Sequence, residues 1–179
     1  DYPKRGVQAE LIGKIFSHVT HSMMLGFKAL FLGITDGKSQ MLIDFALVGE
    51  EGKKKNYGLK QKQLDARFSK EHAENSHTAK RIKEYDQSKI ALMIEMIKRV
   101  IKQKIHFDYI LADSWFACAE IIKFVTSRHI KCHYLGMIKM SRTKYTYNGK
   151  ELTANQLVAL FDHPKKGRRY SRSLGCYYI

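Results

Sequence analysis

One carboxylate stands where the sequence predicts that a strand ends and a helix begins. Phe107–Ala112 is a short apolar run that predicts a buried strand, and it ends at Asp113. Ser114 can cap a following helix that carries apolar residues from Cys118 to Val125. Ligands and metals collect at the carboxyl ends of strands in open α/β sheets, so Asp113 is a candidate site residue. The alternative is that Asp113 only helps to cap the helix.

The charge of the chain indicates the kind of partner. Its 179 residues contain 32 Lys and Arg against 17 Asp and Glu, a net charge of +15, and the pI is near 9.7. Such a balance favours nucleic acid first and an anionic membrane surface second. No apolar stretch approaches the roughly 20 residues of a membrane span, so we expect no membrane partner. Three widely spaced cysteines predict a reducing compartment without disulfides.

The first half of the chain predicts a hairpin followed by a polar arm. Gly26–Ile34 and Gln40–Val48 are strand-like runs joined by a turn that contains Asp36-Gly37. Glu10–His18 is compatible with either a strand or a helix. Residues 49–86 are rich in charge and poor in aliphatic side chains, which predicts a basic arm or long loop that adds little to the core.

The second half alternates helices and strands. Gln87–Lys104 has the periodicity of a helix, with one face formed by Ile90, Ile94, Ile97 and Ile101. Further elements are predicted at Lys131–Met140 (an interior strand), Lys144–Asn148 (a strand), Thr153–Phe161 (a short helix) and Pro164–Arg172 (a basic loop). We therefore divide the chain into a partial core, residues 1–140, and the start of a β-rich insertion, residues 141–179.

The order of these elements predicts an α/β fold of the ribonuclease-H-like type. A hairpin, a crossover helix and two parallel strands would make a mixed sheet flanked by helices. The sheet would be incomplete, because the first strand of this fold is partly missing from the sequence. A strand that enters before residue 1 would lie beside the strand that ends at Asp113, and a carboxylate on each could hold metal between them.

Several motifs resemble those of the DDE transposases of bacterial insertion sequences. The similarity covers most of the chain and rests on Asp1–Gly6, Glu10–His18, Gly26–Lys28, Asp36–Ser39, Asp113–Phe116, Lys150–Leu152 and Leu174–Tyr178. The resemblance implies that Asp113 is the second catalytic aspartate. The first would lie just before Asp1, and the glutamate would follow the insertion, so we expect the chain to be truncated at both ends. Asp1 itself is the lesser candidate for the first ligand.

The resemblance also implies a reaction, a cofactor and partners. The complete protein would cleave and transfer DNA strands with Mg²⁺ or Mn²⁺ bound by carboxylates that include Asp113. Its partners would be the double-stranded DNA of the transposon ends and target, and a second copy of itself in a homodimer. Its location would be the bacterial cytoplasm, associated with the nucleoid.

Two groups of cations are candidates for DNA contact. The first follows the strand after the helix of Asp113, and the second forms part of the basic loop near the end of the chain. The candidates are Lys139, Arg142, Lys144, Lys165, Lys166, Arg168 and Arg169. The alternative for the loop is a purely solubilising role. For the whole chain, the alternative is a basic nucleic-acid-binding module, or an inactive transposase remnant, without enzyme activity.

Overall fold

A computed structural model describes residues 1–50, 56–127, 130–161, 169–172 and 176–178. The chain forms two compact units, Asp1–His106 and Phe107–Ile179. The described residues contain several sheets and five α-helices, so the chain belongs to the mixed α/β class. Among these residues, no helix is both long and apolar enough to cross a bilayer.

Within residues 1–50 and 56–106, the first unit contains four strands, a single 3₁₀ turn and three α-helices. In chain order they are β1 (Tyr2–Pro3), β2 (Gly13–Ser17), β3 (Ser22–Thr35), β4 (Gln40–Val48), the 3₁₀ turn (Asn56–Gly58), α1 (Gln61–Asp65), α2 (His77–Glu84) and α3 (Lys89–Lys102). The segment that was compatible with strand or helix is therefore a strand, β2, and it pairs antiparallel with β3.

The predicted hairpin is confirmed as the antiparallel pair β3 and β4. Asp36 Oδ1 accepts hydrogen bonds from the backbone N–H groups of Lys38 and Ser39, at 2.9 and 2.7 Å. Gly37 has a φ of 87°, a conformation that a residue without a Cβ atom adopts without strain. The turn is thus specified by local chemistry, which explains why the sequence alone predicted it.

The two edges of β3 can be distinguished by the direction of its backbone groups. In an antiparallel strand, one residue's N–H and C=O point to the same edge, and successive residues alternate. The C=O of Leu25 accepts the N–H of Lys4 at 2.8 Å, so odd-numbered residues face β1. The N–H of Phe45 donates to Asp44 Oδ1 and its C=O accepts from Arg81, so we assign Phe45 and its partner Phe31 to a non-hydrogen-bonded pair.

It follows that β4 and β2 share one edge of β3, and that β1 lies on the other edge. The short strand β1 pairs with Phe27 and Gly26 only. Beyond it, the N–H and C=O groups of Ala29 and Phe31 point to an edge on which the first unit has no described strand. We call this stretch the open edge of β3.

The core of the first unit lies between the hairpin and α3. Ala46 and Val48 of β4 pack with Leu92 and Met96 of α3, and all four are buried. The helix itself was predicted correctly, but of the four isoleucines on its predicted apolar face only Ile97 is buried. The buried residues are Leu92, Met93, Met96, Ile97 and Val100, whereas Ile90 and Ile94 are half-buried and Ile101 is exposed.

The segment expected to be an arm contributes buried residues to the first unit. It contains α1 and α2, and Ser76 caps α2 by accepting the N–H of Ala79 at 3.1 Å. Leu59 and Tyr85 are buried, and the C=O of Tyr85 accepts the N–H of Gly49. The expectation of an arm or long loop is therefore wrong for the described residues 56–85, which contain helices, and Leu59 and Tyr85 are the buried apolar side chains that they contribute. The many charged residues of this segment indicated a loop more strongly than its helix-capping residue and its two apolar residues indicated packed helices.

A charged network joins β4 to both long helices. Asp44 accepts hydrogen bonds from Arg81 and Arg99, each at 2.7 Å. Glu84 in turn contacts Arg81 at 3.0 Å and Arg99 at 2.5 Å. The carboxylates are almost completely buried, so each must be paired to avoid a large desolvation cost.

The second unit contains the following elements: β5 (Tyr109–Ala112), α4 (Ala119–Val125), β6 (His133–Gly136), β7 (Lys144–Tyr147), β8 (Lys150–Thr153), α5 (Ala154–Phe161), β9 (Arg169–Ser171) and β10 (Cys176–Tyr178). Strands β5 and β6 pair in parallel, with α4 as the connection between them, and Ile121 and Val125 bury one face of that helix. Strands β7 and β8 form a hairpin that turns at Gly149, followed by α5 as predicted.

The prediction of an interior strand over Lys131–Met140 is wrong. Only His133–Gly136 is a strand, and Leu135, Met137, Ile138 and Met140 are exposed. Apolar composition on both faces had indicated burial, but the strand has one described partner, β5, and ends after four residues. The parallel pair itself agrees with a mixed α/β sheet, and the ribonuclease-H-like arrangement stays a prediction.

Candidate functional site at the end of the parallel strand pair

Asp113 lies directly after β5, at the carboxyl end of the parallel strand pair. Its side chain is exposed, and Oδ1 accepts the N–H of Trp115 at 2.8 Å. Its C=O accepts the N–H of Phe116 at 3.1 Å. These bonds close a turn. The expected helix cap at Ser114 is wrong, because α4 begins later, with Cys118 at its N-cap position.

One oxygen of Asp113 is left for a ligand. Oδ2 accepts no hydrogen bond from a described residue, whereas Oδ1 is held by the turn. An exposed carboxylate oxygen with a fixed partner atom can bind a hard divalent cation. The described residues contain no group of three or more His, Cys, Asp or Glu side chains that could hold a metal ion. Asp113 can thus supply one ligand, and a two-metal site would need others.

Tyr134 of β6 is a site residue that sequence reasoning missed. Its hydroxyl is buried and has no hydrogen-bond partner among the described residues. The ring lies against Gly136, because a Cβ atom on that glycine would fall 2.5 Å from the hydroxyl oxygen. Burial raises the pKa of Tyr134, and charge on Cys118 and Asp113 raises it further. Because the hydroxyl lies over Gly136, whose register partner is Ala112, it is level with the residue before Asp113.

A sequence signal for this residue existed. Tyr134 and Gly136 are two positions apart, so both side-chain directions fall on one face of β6. In the parallel register, Gly136 pairs with Ala112, the residue before Asp113. A tyrosine that leans over a glycine toward the end of its strand would reach the neighbourhood of that aspartate.

Comparison with family models, with curated proteins and with solved structures finds no match for this chain. The arrangement at the end of β5 and β6 therefore has to be interpreted from its own geometry.

Three predicted DNA-contact residues follow β6 in the second unit. Lys139 and Arg142 are exposed in the segment between β6 and β7. Lys144 begins β7, and its Nζ lies 3.4 Å from Glu151 Oε2 across the hairpin. That pair is exposed, so it stabilises little and Lys144 can exchange Glu151 for a phosphate. All three cations are accessible.

The other predicted DNA contacts cannot be placed in the same way. Lys165, Lys166 and Arg168 lie outside the described residues. The backbone of Arg169 begins β9, which pairs antiparallel with β10. The predicted loop over Pro164–Arg172 is thus strand from Arg169 to Ser171. Tyr170, within this strand, is exposed.

Trp115 forms the outer part of the Asp113 turn. Its ring packs edge-to-face against Phe116, with 5.3 Å between centroids, and the side chain remains 49% exposed. The contact with Phe116 covers part of the indole ring.

Asp1 lies in the first unit beside a buried lysine. Its Oδ1 is 3.9 Å from Lys28 Nζ, which also donates to Glu50 and to the C=O of Phe16. Glu50 Oε2 accepts the N–H of Phe16 at 2.6 Å. Burial alone would raise the pKa of Glu50, but the hydrogen bonds from Lys28 and from the Phe16 N–H, together with the charges of Lys28 and Lys89, outweigh it and hold the pKa below its usual value. These carboxylates already neutralise a cation, which weakens Asp1 as a metal ligand.

Proposed function

We propose that this chain is part of the catalytic domain of a DNA transposase that cleaves and transfers DNA strands. The observation that carries the proposal is the position of Asp113, exposed at the carboxyl end of a parallel strand pair with one free carboxylate oxygen. Sheets of this kind bind their ligands at that end. The charge of +15 supports a polyanionic substrate.

The residues of the chain would serve this reaction in different ways. The turn closed by Trp115 fixes the Asp113 carboxylate, and an orientated ligand loses less freedom when a cation binds. Lys139 and Arg142 would hold the DNA backbone near the end of β6. When bound, two Mg²⁺ ions would activate a water or 3′-hydroxyl and stabilise the leaving oxygen of an in-line displacement.

The open edge of β3 supports the proposed fold of the complete protein. A chain that preceded Asp1 and continued β1 in register would run along Ala29 and Phe31. The resemblance to DDE transposases places the first catalytic aspartate just before Asp1, and such a strand could carry it. The proposal therefore requires a carboxylate upstream of Asp1 and a glutamate downstream of Ile179 in the coding sequence.

A specific observation favours the alternative function. Asp113 Oδ1 accepts the N–H of Trp115, which is the turn-forming role expected of an aspartate without catalytic function. In that case the chain is a basic nucleic-acid-binding module. The two functions differ in whether Asp113 is required for strand cleavage and in whether it is required for binding.

The deciding experiment uses the chain extended through both neighbouring coding segments. We expect Mg²⁺-dependent nicking of the DNA ends of its own element, and Asp113→Asn should reduce it by about two to three orders of magnitude or more, because a metal ligand contributes several kcal/mol. Glu120→Gln is the matched control, since Glu120 is an exposed carboxylate in the first turn of α4. It should leave nicking unchanged.

Two results would reject the transposase proposal. One is a folded, extended protein that binds DNA but never nicks it. The other is nicking that survives Asp113→Asn at the wild-type rate. The first result, combined with salt-dependent DNA binding, would establish the binding-module alternative, whereas the second would assign the nicking to other residues than Asp113.

A further inference from the structure

A second candidate site lies in the first unit, in a cavity of about 330 Å³. The cavity is bounded by the turn at Glu10 and Leu11, by the segment Arg67–Glu74 and by one side of α2. Its volume is within the range of small-ligand sites, at the lower end. All of its lining residues belong to the described part of the first unit.

One wall of the cavity is a carboxylate–imidazole pair. Glu10 Oε1 accepts the backbone N–H of Lys70 at 2.9 Å and lies 3.0 Å from His72 Nε2. The bond from Lys70, with a second contribution from His72, lowers the pKa of Glu10. An ionised carboxylate can only accept, so His72 carries a proton on Nε2. The pair thus ties the segment Arg67–Glu74 to the turn at Glu10 and gives the cavity a fixed polar wall.

The rest of the rim combines an aromatic ring with cations. Phe68 is 54% exposed although it lines the cavity, so much of its apolar surface contacts water. Lys70 and Lys83 are also exposed on the rim. Arg67 lies close by and stacks on the ring of Tyr57, with 5.4 Å from its guanidinium carbon to the ring centroid.

An exposed aromatic ring with cations on the same rim is a combination that suits single-stranded nucleic acids. The ring stacks on an unpaired base, and the cations contact the phosphates on either side. A double helix offers no free base face, so it cannot use the ring. A purely apolar ligand would not need Lys70 and Lys83, and a lone phosphate would not need Phe68.

We propose that this cavity binds one unpaired base of single-stranded DNA, stacked on Phe68, with the neighbouring phosphates on Lys70 and Lys83. The polar wall formed by Glu10 and His72 offers hydrogen bonds to the edge of the base. This inference rests on the proposed function to the extent that both require DNA as the ligand. It adds a strand-specific contact that Asp113 does not provide.

The test measures binding of a fluorescent oligothymidylate, and of a duplex of equal length, to the full 179-residue chain. Phe68→Ala should weaken binding of the single strand about tenfold, the loss expected for one base–aromatic stack, and change duplex binding less than about twofold. Phe68→Tyr keeps the ring and should retain the wild-type affinity. Because Phe68 is exposed, far-ultraviolet circular dichroism should show that both variants fold.

The cations are tested in the same assay. Lys70→Gln and Lys83→Gln should each lower the salt dependence of single-strand binding by about 0.7 in the log–log slope, whereas Lys123→Gln, an exposed cation of α4, should not. An equal effect of Phe68→Ala on single strand and duplex, or no effect on either, would overturn the proposal. Nicking that depends on Asp113 would stand in either case, so the two proposals can fail separately.

Discussion

The ring of Tyr134 lies across Gly136, the residue two positions further along the same strand. A Cβ atom at Gly136 would fall 2.5 Å from both the hydroxyl oxygen and a ring carbon of Tyr134. Because real Cβ atoms do not approach other atoms so closely, the glycine is what allows the tyrosine to reach the end of β6. The hydroxyl is thereby buried near the turn that holds Asp113.

Gly136→Ala should therefore displace the Tyr134 ring and destabilise the protein by about 1–3 kcal/mol, the usual cost of overpacking. Urea unfolding measures this loss. Gly6→Ala is the control, because a Cβ atom there would meet nothing within 4 Å. In the Tyr134→Ala background the cost of Gly136→Ala should largely disappear. An additive double mutant would contradict the proposed clash.

Because of Asp44, the stability of the protein should depend on pH in the acid range. Burial alone would raise the pKa of Asp44, but hydrogen bonds from Arg99 and Arg81 outweigh it, so the pKa is lowered. Its stabilisation is therefore present above the unfolded-state pKa of about 3.9 and is lost as the pH falls through the lower folded-state pKa.

We expect Asp44→Asn to lower the free energy of unfolding at neutral pH by about 2 kcal/mol and to make stability less sensitive to acid below pH ~4. Denaturant titrations at a series of pH values measure both effects. Glu95→Gln removes only the exposed pair with Lys98 and should cost less than about 1 kcal/mol. Equal losses for the two variants would show that burial of the network is unimportant.

Removing one partner of the Lys28–Glu50 pair should destabilise the protein more than removing both. Lys28 is 7% exposed, and Glu50 also binds the backbone of Phe16. Glu50→Gln removes the negative charge closest to the buried lysine and leaves a neutral amide in its place, so we expect a loss of about 2–3 kcal/mol. The double variant Lys28→Met/Glu50→Leu should be more stable than Glu50→Gln in thermal unfolding. The reverse order would contradict this interpretation.

Lys139 and Arg142 should contribute to the salt dependence of duplex binding. If each contacts one phosphate, Lys139→Gln and Arg142→Gln should each reduce the slope of log affinity against log salt by about 0.9. Fluorescence anisotropy with duplex DNA measures the slope, and Lys38→Gln in the β3–β4 turn is the control. Replacing Lys165, Lys166, Arg168 and Arg169 together tests the second group of cations. Unchanged slopes would assign a group to solubility alone.

Local signals in the sequence predicted the fold best where a few adjacent residues determine the structure. The turn at Asp36 and Gly37 depends on side-chain-to-backbone bonds within four residues, and the hairpin around it was predicted. The position of Asp113 after a short strand was predicted for the same reason. In α3, every turn offers apolar residues on more than one face, so periodicity could not select Leu92 and Met96 over Ile90 and Ile94.

Features that depend on distant residues were missed. The burial of Tyr85 requires contact with Gly49, and the cavity requires Glu10 to meet His72, 62 positions later. The burial of the Tyr134 hydroxyl depends on how the side chain leans over Gly136. None of these relations has a local sequence signal strong enough to be recognised before the strands and helices are placed.

The open edge of β3 also makes protein concentration an experimental variable. No described strand pairs with the N–H and C=O groups of Ala29 and Phe31 on this edge, so these groups, beside the exposed ring of Phe31, form a template on which an extended segment can add as a further strand. Concentrated samples should therefore form oligomers through this edge, and fibrils on prolonged storage, whereas a short synthetic peptide that pairs with Ala29 and Phe31 should suppress both. The strand that occupies this edge of the sheet thus determines how the protein behaves in storage as well as its activity.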